Sequence, residues 1–207
     1  MRPWLKICGI TCDEDADLVV DAGADAIGLN LVPRSKRYID RKLARRLADR
    51  VRGKLEIVCV VADESLGSLR ELQTELAPDW LQLHGEEPAA WLNELPRSFK
   101  AVGLAEPSDA LAADAYPGSR LLVDAKSGGS SGGTGLSFDW AWAAELCRKR
   151  DVILAGGLNP ENVAQAYAAL HPFGLDVASG VDSPGNPRRK DPLRVAQFVA
   201  RAHAAAQ

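Results

Sequence analysis

Cys8 and Lys6 stand two residues apart in the run Trp4-Leu-Lys-Ile-Cys8. In an extended strand both side chains leave the same face, with backbones about 7 Å apart. A thiol acts as a base or nucleophile only as the thiolate, and a nearby ammonium favours that form, so the spacing predicts a Cys8 pKa below the ~8.5 of a free thiol. The competing reading is a small buried apolar residue, the usual fate of a cysteine at a strand end. Asp124 closes the apolar run Leu121-Leu-Val123, where a carboxylate serves either a site or a cap or ion pair. Arg37, in Arg34-Ser-Lys-Arg37, can grip a planar carboxylate through two parallel hydrogen bonds or be a solvated surface charge. His84 is a candidate ligand contact or a satisfied polar group, and Asp176 faces either a site or a neighbouring partner.

Glycine supplies the second kind of chemistry. Gly156-Gly157 leads into a helical pattern, and Ser179-Gly180 follows the last apolar run. Without a Cβ the backbone can approach a ligand closely, so several amide N–H groups can converge on one anion. These turns are expected to hold a phosphate, the alternative being tight turns with no ligand. Gly133 and Gly135, in the Gly/Ser-rich stretch Gly128–Gly135, are weaker candidates for the same group.

The elements that position these residues repeat. Nearly continuous apolar runs lie at Trp4–Cys8, Asp25–Leu31, Leu55–Val61, Asp79–Leu83, Phe99–Leu104, Arg120–Asp124, Val152–Ala155 and Leu175–Ala178, as expected of parallel strands covered by helices. Helical patterns alternate with them at Asp15–Ala22, Arg41–Val51, Leu66–Leu76 and Trp140–Arg148. Shorter ones follow at Pro88–Leu95 and Asp109–Ala115. A helix is expected over Pro160–Ala169 with Asn159 as its N-cap, and Asp191-Pro192 is expected to open the last helix. Eight such units in 207 residues predict an α/β fold, a single-domain (β/α)8 TIM barrel spanning 1–207, with its active site at the carboxyl ends of the strands. There the candidates fall, whereas opposite-end loops such as Gly53-Lys54 carry little but turn chemistry. Gly128–Gly135 then reads as a mobile lid over the catalytic face.

Composition excludes other classes. With 25 Lys and Arg against 28 Asp and Glu, a net charge of -3 gives no basic surface for nucleic acid. No run approaches the ~18 apolar residues of a membrane span. The first residues lack an apolar stretch of signal-peptide length, so a cytoplasmic location with free thiols is expected for Cys8, Cys12, Cys59 and Cys147. Cys8-x3-Cys12 has no second Cys or His pair to complete a metal site. Whether the chain is a monomer or a homodimer is left open.

Several motifs, in order along the chain, resemble the phosphoribosylanthranilate isomerase family. They are Lys6-Ile-Cys-Gly-Ile-Thr11, Gln82-Leu-His-Gly85, Gly132-Gly-Thr-Gly135 with Phe138-Asp-Trp140, Ile153-Leu-Ala-Gly-Gly-Leu-Asn-Pro-Glu-Asn162 and Asp176-Val-Ala-Ser-Gly-Val181. Arg34-Ser-Lys-Arg-Tyr38 resembles the family's second loop, with Lys36 where proline is common; Asn30 stands where an aromatic is frequent. The resemblance implies an Amadori rearrangement of N-(5′-phosphoribosyl)anthranilate in tryptophan biosynthesis. It implies Cys8 as general base, Asp124 as general acid, Arg37 at the anthranilate and the glycine turns at the phosphate. No metal or organic cofactor is implied, because the substrate's own imine is the electron sink. Such chemistry needs the carboxyl pKa raised from ~3.9 by burial and the thiol pKa lowered. Another phosphosugar barrel enzyme, or a non-catalytic phosphate-binding barrel subunit, is the alternative.

Overall fold

Alternating side chains on each strand split into two populations, and that split builds the molecule. The computed structural model describes residues 2–124 and 141–207; the expected lid at Gly128–Gly135, with Gly133 and Gly135, lies outside them. The elements run β1 (Trp4–Cys8), α1 (Asp13–Asp21), β2 (Ala26–Asn30), α2 (Arg41–Val51), β3 (Glu56–Val61), α3 (Leu66–Leu76), β4 (Trp80–Leu83), β5 (Ser98–Gly103), α4 (Pro107–Asp114) and β6 (Arg120–Asp124). Then come α5 (Ala141–Lys149), β7 (Asp151–Ala155), α6 (Val163–Leu170), β8 (Gly174–Val177), β9 (Asp182–Ser183), β10 (Asn186–Lys190) and α7 (Pro192–Ala204). Strands β1 to β8 are parallel and close in order, β8 pairing back onto β1.

Outward residues such as Leu5, Ile7, Ile27, Leu29 and Leu83 pack against Val19, Leu47, Leu69 and Phe198 of the helices in one continuous core. Each such buried side chain contributes about 1.5–3 kcal/mol. Inward residues Ala26, Val58, Phe99, Leu122 and Ile153 fill the barrel itself. That two-sided burial is why the strands read as unbroken apolar runs.

Two expectations need correction. The segment after β4 is a short 3-10 helix, Ala89–Asn93, with no buried residue, in place of the expected helix over Pro88–Leu95; Pro96 disfavours helical backbone at Leu95 and ends the segment early. Helix α6 begins at Val163 with Asn162 as its N-cap residue, three residues later than expected. Asn159 closes a turn of its own first: its side-chain oxygen accepts from the amides of Glu161 at 2.9 Å and Asn162 at 3.0 Å. By contrast, Asp191 caps α7 as expected, accepting from Arg194 N at 3.0 Å.

The amino end of the barrel is not just turns. The Arg120 guanidinium lies 5.1 Å from the Trp4 ring, 4.0 Å from Trp80 and 4.7 Å from Phe173. Glu56 accepts from both indole N–H groups, at 3.2 and 3.1 Å. A cation among aromatic faces closes the floor.

Candidate active site

Register places Lys6 directly beside Asp176 and Cys8 beside Gly28. The Lys6 ammonium is wholly buried and donates to Asp176 and to Gln82, both at 2.9 Å. Gln82 in turn contacts His84 Nδ1 at 2.8 Å. A polar chain thus runs from β8 through β1 to the end of β4. Gly28 makes room for it: a Cβ there would meet Cys8 Sγ at 2.6 Å and Lys6 Cε at 3.0 Å. Asp176 therefore faces into the barrel, onto Lys6.

This arrangement overturns the expected depression of the Cys8 pKa. Burial pushes the thiol up, Lys6 and Lys190 pull it down, Asp176 adds to the rise, and the net direction is upward. The physical reason is that Lys6's charge is already engaged. Burial alone would lower its pKa, but Asp176 and then Cys8 outweigh burial and hold the ammonium above its ordinary value.

Asp124 ends β6, separated from β1 by two intervening strands on the shorter way round, so it and Cys8 approach the mouth from different sides. A cavity of about 370 Å³ opens beside it, lined by His84, Lys100, Gly103, Tyr116 and Asp124. His84 sits at the rim. The barrel wall around its ring shifts its pKa down, opposed by the charge of Asp124. A buried clamp fixes the loop carrying it: Lys100 donates to Glu87 at 2.8 Å, and Glu87 accepts from the amides of Asp63 at 2.8 Å and Gly85 at 3.0 Å.

Arg37 is not a solvated surface charge. Its side chain packs over Gly9, where a Cβ would meet Arg37 Cδ at 2.2 Å, and its terminal nitrogen is bonded to Asp182. Its buried Nε has no hydrogen-bond partner among the described residues. Arg34, from the same run, pairs with Asp63 at 2.9 Å.

Gly156 and Gly157 both take positive φ, 85° and 70°, which turns the chain sharply at the end of β7. Gly180 lets the β8 turn press against it: a Cβ would meet Leu158 O at 2.0 Å. Among the described residues, the amides of Gly157, Ser179 and Gly180 have no backbone acceptor. The two turns expected to act together are therefore joined.

Sequence reasoning missed the hairpin β9–β10, with Asp182 and Lys190, and the part played by Gly28. The available signal for the hairpin was the dipeptide Pro184-Gly185 between two polar runs; Gly185 turns it at φ 73°.

Reactive groups gathered at the carboxyl ends of a parallel barrel, with structural packing at the other end, mark a (β/α)8-barrel enzyme. The comparisons narrow that class. A model of the N-(5′-phosphoribosyl)anthranilate (PRA) isomerase family matches residues 5–201, and the chain belongs to that family. An N-(5′-phosphoribosyl)anthranilate isomerase of Geobacter sp. is 41% identical over 200 residues, covering 96% of this chain and 97% of that one. The phosphoribosyl anthranilate isomerase structure from Thermotoga maritima superposes with a TM-score of 0.88 at 36% identity, covering 99% of this chain and all of that one. Another, in complex with reduced 1-(o-carboxyphenylamino)-1-deoxyribulose 5-phosphate, gives 0.87 at 34% identity, with the same coverage of both chains.

Proposed function

We propose that this chain converts N-(5′-phosphoribosyl)anthranilate to 1-(2-carboxyphenylamino)-1-deoxyribulose 5-phosphate in the cytoplasm, as a step of tryptophan biosynthesis. The observation that carries the mechanism is the placement of Cys8 and Asp124 at the ends of β1 and β6, on different sides of one barrel mouth. An acid and a base must reach different atoms of the same sugar.

Asp124, as the general acid, protonates the furanose ring oxygen. The bond from C1′ to that oxygen breaks, and the nitrogen lone pair forms the iminium. Cys8, as thiolate, removes the proton on C2′; the electron pair becomes the C1′–C2′ double bond and the iminium electrons return to nitrogen. The resulting enol tautomerises to the C2′ ketone, with a proton delivered to C1′. The iminium is the electron sink, so no metal or cofactor enters the scheme. Burial favours the thiol form of Cys8, while the charges of Lys6 and Lys190 favour the thiolate that the reaction requires.

Arg37 grips the anthranilate carboxylate with the guanidinium edge that Asp182 leaves available. Gly156, Gly157, Ser179 and Gly180 supply amides for the phosphate, with Gly133 and Gly135 as further candidates. His84 serves as a substrate contact beside Asp124. Asp176 acts through Lys6; its carboxylate is committed to the ammonium.

The test is turnover of freshly generated phosphoribosylanthranilate, followed by the loss of its fluorescence, in wild type, Cys8→Ala and Asp124→Asn. Wild-type turnover that falls by at least about 100-fold in each variant supports both roles. A folded wild-type protein without turnover sinks the reaction, and near-normal turnover in either variant removes that residue from the scheme.

A further inference from the structure

The chain between β8 and α7 does more than connect them. Hairpin β9–β10 is tied to the segments that follow β1 and β2. Thr11 donates to Arg188 O, Asp15 accepts from Lys190 N at 2.9 Å and from Arg189 Nε at 3.2 Å, and Arg188 donates to Tyr38 O at 2.8 Å. At its centre one carboxylate holds two cations. Asp182 takes the Lys190 ammonium on one oxygen at 2.7 Å and the Arg37 guanidinium on the other. All three side chains are largely buried, Lys190 completely so. Lys190 also donates to Ala178 O at 3.0 Å, and Ala178 packs in the same small apolar cluster as Cys8.

We propose that Asp182 is a positioning residue of the active site, holding the guanidinium of Arg37, whose methylene stem packs over Gly9, and the Lys190 ammonium beside Cys8. The proposal rests on the roles given above to Cys8 and Arg37. Its physical content is that one carboxylate against two cations leaves a net positive charge, fixed in place and partly withdrawn from water, where two anions must form or bind. A guanidinium restrained on one side loses less freedom when a planar carboxylate takes its other edge. The ammonium depends on the same carboxylate. Burial draws the Lys190 pKa below its ordinary value and Asp182 opposes that, so without Asp182 Lys190 gives up its proton more readily. The charges facing the thiol are Lys6 from β1, Asp176 from β8 and Lys190 from β10; loss of the last leaves Lys6, already paired, as the cation.

Two readouts separate this role from simple structural support: steady-state kinetics, and the pH dependence of Cys8 alkylation by iodoacetamide, read on the Cys8 peptide by mass spectrometry. Asp182→Asn is expected to raise KM about tenfold, the loss of one charge-assisted contact, and to move the alkylation midpoint upward. Lys190→Met is expected to move the midpoint upward with KM within about twofold of wild type, and Arg37→Ala to raise KM with the midpoint unmoved, because each removes one arm of the contact. Asp182→Glu should restore part of both. Wild-type KM and an unmoved midpoint in folded Asp182→Asn would overturn the proposal. So would an unmoved midpoint in Lys190→Met, should Asp182→Asn fail to fold. Cys8→Ala, assayed alongside, isolates the underlying reading: if it turns over normally, the base assignment fails whatever the Asp182 variants do.

Discussion

The Lys6 ammonium and the Asp176 carboxylate meet at 2.9 Å inside the barrel, directly beside one another in the β1–β8 register. Neither is free to solvate, so removing one strands the other. Asp176→Asn is expected to cost about 3 kcal/mol of stability, the typical penalty for leaving a buried charge without its partner. Combining it with Lys6→Met should recover most of that loss, since the stranded charge is then gone. Urea unfolding of the two single variants and the double variant measures the coupling. Additive losses would mean that the pair does not act as a unit.

Gly28 is required by the thiol and ammonium next to it. In Gly28→Ala the new methyl group would sit 2.6 Å from Cys8 Sγ and 2.9 Å from Cys8 Cα, so the strand must shift. A stability loss of about 1–3 kcal/mol is expected from such overpacking, together with a fall in kcat larger than any change in KM. Thermal unfolding and steady-state kinetics check the two halves. An unchanged kcat in a destabilised variant would show that Cys8 tolerates displacement.

Histidine ionisation gives the stability a pH dependence of definite sign. The His84 pKa is shifted down, by the barrel wall first and then by Lys6 and Lys100 against Asp124 and Asp176. In the unfolded chain it titrates near ~6.5. Between the folded and unfolded values the unfolded chain binds the proton and the native one does not, so stability falls as pH drops through that window. His203 has the same direction, from burial and Arg2. The melting temperature should therefore decline from pH 7.5 to 5.5, and less steeply in His84→Gln. Equal slopes would remove His84 as a source of the dependence.

The two ends of the barrel should separate stability from activity. Arg120 sits among Trp4, Trp80 and Phe173, with Glu56 3.7 Å away. Arg120→Ala is expected to lower stability by about 2 kcal/mol, through lost cation–π contact and packing. Its kcat at a temperature where it stays folded should match wild type, because β6 delivers Asp124 from its other end. A large loss of kcat there would show that the floor shapes the mouth.

Local pattern alone determined the barrel. Apolar runs such as Trp4–Cys8 and Arg120–Asp124 are buried on both faces, and burial of that kind leaves a continuous signal that composition and spacing expose. The same runs identified the positions of Cys8 and Asp124, because a strand's last residue is legible from where its hydrophobicity stops. What residues 2–124 and 141–207 added came from contacts between positions far apart in the chain. Asp176 and Lys6 are separated by 170 positions and Asp182 and Arg37 by 145, so no periodicity connects them. The Cys8 ionisation is not legible in the sequence for that reason: Lys6 two residues away is visible there, but the carboxylate that occupies it and the burial that opposes it are not. Arg120 was unremarkable for the same cause, since three aromatic residues from β1, β4 and the β8 entry surround it only once the barrel has closed. Short-range pattern sets which segments become strands; the electrostatics of the mouth belong to closure, which decides which charges share a low-dielectric space.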